Sequence, residues 1–202
     1  MKSKQQEIIE IASLLFSEEG IKKTSVDIIS QHCGISKKTF YQYFRDKETI
    51  VKDVVINALS KIDNYIKTLL EIANDAIAEL IHFLKFLQAN VAVFTPIFIS
   101  DLLKFYPTVN DDLVKYRTTK FLPFFIQNVD KGILEGCYRK SVNSKLTGEL
   151  YFKQIDIALE DDSIAVVEKN NILSYINSFF LHGIVNRVGA NILFPCLKEE
   201  HC

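Results

Sequence analysis

Between Ser25 and Lys47 the chain has room for little except two short helices joined at a glycine turn. Thr24 or Ser25 can accept a hydrogen bond from an otherwise orphaned backbone donor, and Asp27 supplies the acidic first turn that a helix dipole favours. The first helix is therefore expected over roughly residues 25 to 33. Within it Val26, Ile29 and Cys33 recur at three- to four-residue intervals and form one apolar face, while Gln31 points away. Gly34 stands where the chain must leave the helix with positive φ, which glycine adopts without a Cβ penalty. Ser36 then caps a second helix. Phe40 and Phe44, four apart, can pack back on the first.

Packing those two rings inward leaves Lys37, Lys38, Tyr41 and Gln42 on the outer surface. A helix of this size fits the major groove of a DNA duplex, with its first residues nearest the base edges. Lysine can donate to guanine, glutamine can pair with adenine, and a tyrosine ring can lie against a thymine methyl. Those four are the expected base-facing residues. Ser25, Thr39, Tyr43 and Lys47 are assigned to phosphates, because hydroxyls and ammonium groups flanking such a turn, and helix N-termini themselves, hold anions.

The pattern has a wider counterpart. Ile8, Ala12, Phe16, Gly20, Ser25-Val26, Ile29, Gly34-Ile35-Ser36, Thr39-Phe40-Tyr41-Gln42-Tyr43-Phe44 and Lys47-Glu48 match in type and spacing, so residues 8 to about 55 resemble the DNA-binding domain of the TetR family of bacterial transcriptional regulators. Two positions depart from that pattern: Ser30 replaces a usual alanine, and Tyr43 a common histidine. Ser30 is expected to bond back to its own helix, and Tyr43 still offers a hydroxyl.

Beyond residue 47 the periodicity is helical almost throughout. Val51, Val55, Ala58, Ile62, Ile66 and Leu69 describe one long helix. Further helices are expected at about 76 to 93, 96 to 105, 109 to 135, 144 to 159 and 164 to 193, punctuated by Pro96, Pro107 and Gly136, with Pro123 kinking or interrupting the longest. No alternating strand pattern bounded by hairpin turns is present. The fold class that follows is all-α: an N-terminal three-helix helix-turn-helix domain at 1–47, joined to a larger helical bundle at 48–202. The resemblance implies that this bundle binds a ligand and dimerises.

Eight of the fifteen phenylalanines fall between residues 80 and 130. Phe83, Phe86, Phe94, Phe98, Phe121, Phe124 and Phe125, with Tyr116, are the expected lining of an apolar ligand pocket, and the alternative is that the same rings simply fill a core. Near the C-terminal end, Ile172, Ile176, Phe179, Phe180, Ile184 and Val188 make a stripe, with Gly183 and Gly189 allowing close approach of another helix, and the resemblance implies a homodimer interface there. The competing reading is a helix buried within one monomer.

Charge sets limits on the mode of binding. Net charge is −1 over 202 residues, which excludes coating nucleic acid by bulk positive charge. Residues 1–52 carry nine Lys/Arg against seven Asp/Glu, and the remainder carries fifteen against eighteen, so the basic excess lies at the expected DNA-binding end. Two heads on adjacent groove turns would double this modest term.

Four scattered cysteines, a polar lysine-rich start and no apolar run of about twenty residues point to a cytoplasmic protein with no membrane partner. Phosphate-loop, dinucleotide, zinc-protease and nucleophile-elbow motifs are missing. His32-Cys33 and Cys196 with His201-Cys202 lack structural zinc spacing. Catalysis, cofactors and metals are therefore not expected. The expected function is a ligand-responsive DNA-binding regulator, most simply a repressor released from an inverted-repeat operator by a small apolar or amphipathic effector. A regulator without a small-molecule ligand, activating or cued by a protein, is the alternative, and a helical enzyme or adaptor is a weaker one.

Overall fold

The computed structural model describes residues 3–90, 94–161 and 163–198, with side chains described for all of these except 88–90, 160, 166, 167, 170 and 194–198. Among the described residues the chain is helical, and its sole extended pairing is an isolated bridge between Tyr138 and Val185. The helices are α1 (Lys4–Glu19), α2 (Val26–His32), α3 (Lys37–Tyr43), α4 (Lys47–Ile72), α5 (Ala76–Asn90), α6 (Pro96–Phe105), α7 (Pro107–Tyr116), α8 (Leu122–Leu134), α9 (Ser144–Glu160), α10 (Val166–Ile184) and α11 (Arg187–Lys198). The all-α class is as expected.

Contacts divide the chain into two compact units. One comprises residues 1–63 and 90–115, and the other residues 64–89 and 116–202. The helix-turn-helix segment 1–47 belongs to the first, which also takes in the start of α4 and all of α6.

In the first unit the core is built from the inner faces of the short helices. Ile8, Ala12 and Phe16 of α1, Ile29 of α2 and Phe40 of α3 are fully buried, and Phe44, Val51 and Val55 nearly so. The rings of Phe40 and Phe44 lie 5.2 Å apart and that of Phe98 lies 6.4 Å from Phe16, within the range of favourable aromatic contact.

In the second unit an aromatic cluster forms the centre. Phe83 meets Phe121, Phe124 and Phe125 at centroid distances of 5.8, 4.6 and 5.9 Å, and Phe125 continues to Tyr151, Phe152 and Phe180 at 5.0, 5.3 and 5.6 Å. A polar network is buried beside it. Glu79 accepts from Asn128 Nδ2 at 3.0 Å and from Lys131 Nζ at 2.7 Å, and the Tyr138 hydroxyl lies within hydrogen-bond reach of the Ala76 carbonyl and Asn128 Oδ1. Every buried charge there is partnered, which is the condition for tolerating it.

The segment expected at 109–135 starts at Pro107 and is interrupted near Pro123 as expected, by a π-helical turn, Arg117–Phe121, just ahead of it. Proline lacks the N–H that would continue the ladder, and the wider turn accommodates that loss. Two other expectations are corrected. The segment 164–193 is also two helices. Val185 is extended (ψ 145°), and Asn186 Oδ1 accepts from the Val188 and Gly189 amides at 2.8 and 3.0 Å, starting α11 afresh. Finally, the buried Ser30 hydroxyl has no hydrogen-bond partner among the described residues, so it does not bond back to α2 as expected.

Candidate nucleic-acid interface

Two serines define the start of both short helices. Ser25 Oγ accepts from the Ile28 amide at 3.2 Å and Ser36 Oγ accepts from the Thr39 amide at 3.0 Å, each satisfying a donor the helix cannot pair itself. Gly34 makes the intervening turn at φ +62° with open space around it, so conformation and not crowding requires glycine there. Burial of Val26, Ile29 and Cys33 on one side and of Phe40 and Phe44 on the other fixes α3 against α2.

That packing turns one face of α3 outward. Lys37, Lys38, Tyr41 and Gln42 are all exposed, with 47% of the Tyr41 surface open to solvent. They are therefore together and accessible, in the order that a helix lying in a groove would use. Lys37 differs from the others: its Nζ donates to Asp27 Oδ2 at 3.0 Å, and this hydrogen bond holds the ammonium pKa above its usual value. A base contact by Lys37 would have to displace Asp27. Lys38, Tyr41 and Gln42 stand on the same exposed face of this seven-residue helix.

Of the expected phosphate group, Tyr43 is exposed and Ser25 and Thr39 are half-exposed with their hydroxyls already in use, Thr39 Oγ1 lying 2.8 Å from Ser36 Oγ. Lys47 is placed differently from expectation. Its ammonium is half-buried and donates to the Ile21 carbonyl at 2.5 Å, and burial lowers its pKa while Asp101 opposes that shift. Here it ties α4 to the turn after α1. Arg45, not singled out from the sequence, presents a guanidinium that is 88% exposed and paired with Asp46 at 2.8 Å. It sits two residues after the end of α3, and its position just before Asp46 was the available signal. Asp46 caps α4: its Oδ1 accepts from both the amide and the hydroxyl of Thr49, and these bonds hold its carboxyl down at about 2.

The expected pocket residues separate. Phe83, Phe121, Phe124 and Phe125 meet in the second unit, with Tyr116 against Phe121 at 5.0 Å, while Phe86 stacks on Tyr65 at 3.8 Å. Phe94 and Phe98 pair with each other in the first unit, so they do not belong to that cluster. Tyr151, Phe152 and Phe180, absent from the expected set, are integral to it. Their separation in sequence from residues 80–130 hid them.

The expected interface stripe is also divided. Phe180 and Ile184 are buried within the chain and are core residues, because α10 turns that edge toward Phe125 and Tyr151. Phe179 is 66% exposed, Gly183 is exposed, and Ile172 and Ile176 are half-buried. Tyr175 joins Phe179 on the open face of α10, and α9 exposes Leu146, Leu150 and Ile157. The metal grouping considered at the tail, Cys196 with His201 and Cys202, lies outside the described side chains. His32 is exposed, with Nδ1 2.9 Å from the Ile28 carbonyl. Among the described residues no helix is long and apolar enough to cross a membrane.

A capped, outward-facing basic and aromatic helix on a buried two-helix support defines a helix-turn-helix DNA-binding protein. Residues 8–54 match the family described as bacterial regulatory proteins, tetR family, so the helix-turn-helix segment of this chain is that of a TetR-type transcriptional regulator. It is 47% identical over 51 residues to the HTH-type regulator YuxN of Bacillus subtilis, a match spanning 25% of this chain but 18% of that protein. It is 22% identical over 153 residues to the HTH-type transcriptional repressor KstR2 of Mycolicibacterium smegmatis, spanning 71% of this chain and 72% of that one. The fold is that of a TetR-family regulator from Agrobacterium tumefaciens, with a TM-score of 0.72 at 16% identity over 91% of this chain and 98% of the other.

Proposed function

We propose that this regulator is a homodimeric repressor that occupies an inverted-repeat operator and releases it when a small, largely apolar effector binds its helical body. The observation that carries the reading is the exposed row Lys38, Tyr41 and Gln42 on α3, held by Ser36 and backed by the buried Phe40 and Phe44. Lys38 and Gln42 contact base edges, Tyr41 packs on a thymine methyl or sugar, and Lys37 joins them once Asp27 is displaced. Ser25, Thr39 and Tyr43 position the backbone, with Arg45 as an additional phosphate donor. Lys47 contributes through its tie to Ile21 and through its remaining donors.

A second copy covers the open faces of α9 and α10, where Leu150, Ile157, Tyr175 and Phe179 are exposed and Gly183 permits close approach. Dimerisation supplies the two heads that an inverted repeat requires. The aromatic cluster around Phe83 and Phe125 is the apolar surface available to an effector, whose preference for one head spacing over another would shift operator occupancy. The KstR2 relative is itself named a repressor, which favours that sign of regulation.

Selection of binding sites from random DNA, with and without a metabolite extract, tests the reading. An inverted repeat whose recovery falls with the extract is the expected result. Recovery of no duplex would overturn the DNA-binding role, and recovery unaffected by any extract would favour a regulator cued by a protein partner.

A further inference from the structure

Immediately after α1 the chain makes a short turn, Gly20-Ile21-Lys22, before α2 begins at its Ser25 cap. Neighbouring elements grip this turn at each of its residues. From α6, Asp101 Oδ2 accepts the Lys22 amide at 2.7 Å. From α4, Lys47 Nζ donates to the Ile21 carbonyl at 2.5 Å. The Thr24 hydroxyl closes onto the Gly20 carbonyl at 2.8 Å.

Gly20 is what allows Asp101 to come so near. A Cβ there would stand 2.7 Å from the same carboxylate oxygen and 3.0 Å from Ile97, and φ is +82°, where a side chain is strained in any case. Two further contacts hold α6 along this edge: the Thr95 hydroxyl donates to the Ser17 carbonyl at 3.1 Å, and the Lys22 ammonium lies over the Phe105 ring at 5.1 Å.

We propose that Asp101 is a positioning residue for DNA recognition: by holding the Lys22 amide it lets α6 set the angle of the helix-turn-helix. The inference rests on the DNA-binding reading above. Lys22 is three residues from the cap of α2, and α2 carries α3 through the buried Val26, Ile29 and Phe40 contacts. A displacement of α6 therefore reaches α3 through the charge-assisted Asp101 bond to the Lys22 amide beside the bare glycine, with the Thr95–Ser17 bond and the Lys22–Phe105 contact holding the same edge. Among the described residues no other side chain is bonded to that amide. Lys47 holds the adjacent carbonyl from α4, so the turn lies between two helices and its orientation follows their relative positions.

The test uses the full-length protein and a duplex that it has itself selected from random DNA, together with versions whose half-sites stand one base pair nearer or farther apart. Asp101→Ala removes the acceptor, whereas Asp101→Asn keeps an acceptor oxygen at the same place. The alanine variant should lose about tenfold of the discrimination between the selected spacing and the altered ones, equivalent to one modest charge-assisted bond. The asparagine variant should retain it. Hydrogen exchange at the Lys22 amide should accelerate in the alanine variant and stay slow in the asparagine variant. If the alanine protein does not fold, Asp101→Ser, too short to reach the amide, takes its place.

A purely structural residue would lower the melting temperature and leave spacing discrimination at its original value; that outcome in a folded variant overturns the proposal. Should the wild-type protein select no duplex at all, the DNA-binding reading itself fails, which is a separate result.

Discussion

Ser30 carries a buried hydroxyl with no partner among the described residues, an arrangement that costs about 1–3 kcal/mol in desolvation. Ser30→Ala should therefore stabilise the protein by about 1 kcal/mol, read as a higher urea midpoint at unchanged slope. Phe40 presents the opposite case: fully buried between Tyr41 and Phe44, its replacement by alanine should cost about 3–5 kcal/mol and release α3 from its support.

Asp46 adds a pH dependence. Its carboxyl is held at about 2 in the folded chain against an ordinary value of 3.8, so the stability it contributes is present above pH 4 and disappears as pH falls toward 2. Thermal melts from pH 5 to pH 2 should show a shallower decline for Asp46→Asn, which keeps the cap oxygen and loses the charge. Both cap serines, the turn glycine and the two inward phenylalanines were legible from sequence because each is decided within four residues of itself. The engagements of Lys37 with Asp27 and of Lys47 with Ile21 were not, since they join residues 10 and 26 positions apart.

At the scale of elements, helix existence followed from periodicity, and helix breaks followed from particular side chains. The long α4 stripe places Val51, Val55, Ala58, Ile62 and Leu69 inside and leaves Ile66, expected with them, half-buried. The division of 164–193 was hidden because no glycine or proline marks Val185-Asn186. What ends α10 is tertiary: Arg139 Nε takes the Val185 carbonyl at 3.0 Å and Asn186 Nδ2 takes that of Gly136 at 2.8 Å.

The two glycines near this break should respond oppositely to alanine. At Gly189 a Cβ would meet the Cys137 carbonyl oxygen at 2.1 Å, and that backbone cannot yield, so Gly189→Ala should destabilise α11 and lower the melting temperature. At Gly183 nothing lies within 4 Å, so Gly183→Ala should gain about 0.5–1 kcal/mol of helix stability in the isolated chain. Denaturant titration at low protein concentration distinguishes the two.

For the whole molecule, the aromatic density between residues 80 and 130 was visible, but its partition was not: Phe98 lies on Phe16 in one unit while Phe83 and Phe125 centre the other. Composition counts rings without saying which helices bring them together. The proposed dimer places Phe179, 66% exposed, at the contact between copies. Phe179→Asp should therefore yield a monomer in sedimentation equilibrium and weaken binding to a two-half-site duplex, with the helical content of the chain preserved. Persistence of the dimer would move the interface elsewhere.

The central claim is that the α3 face enters a DNA groove. It is tested most directly by titrating the wild-type protein and Lys38→Ala/Gln42→Ala against the selected inverted repeat across a range of salt concentrations. Wild-type affinity should fall linearly with salt on logarithmic axes, and the double variant should lose its preference for the selected repeat over scrambled duplex while remaining folded. A wild-type protein that ignores every duplex at low salt, or a double variant with undiminished sequence preference, would contradict the account.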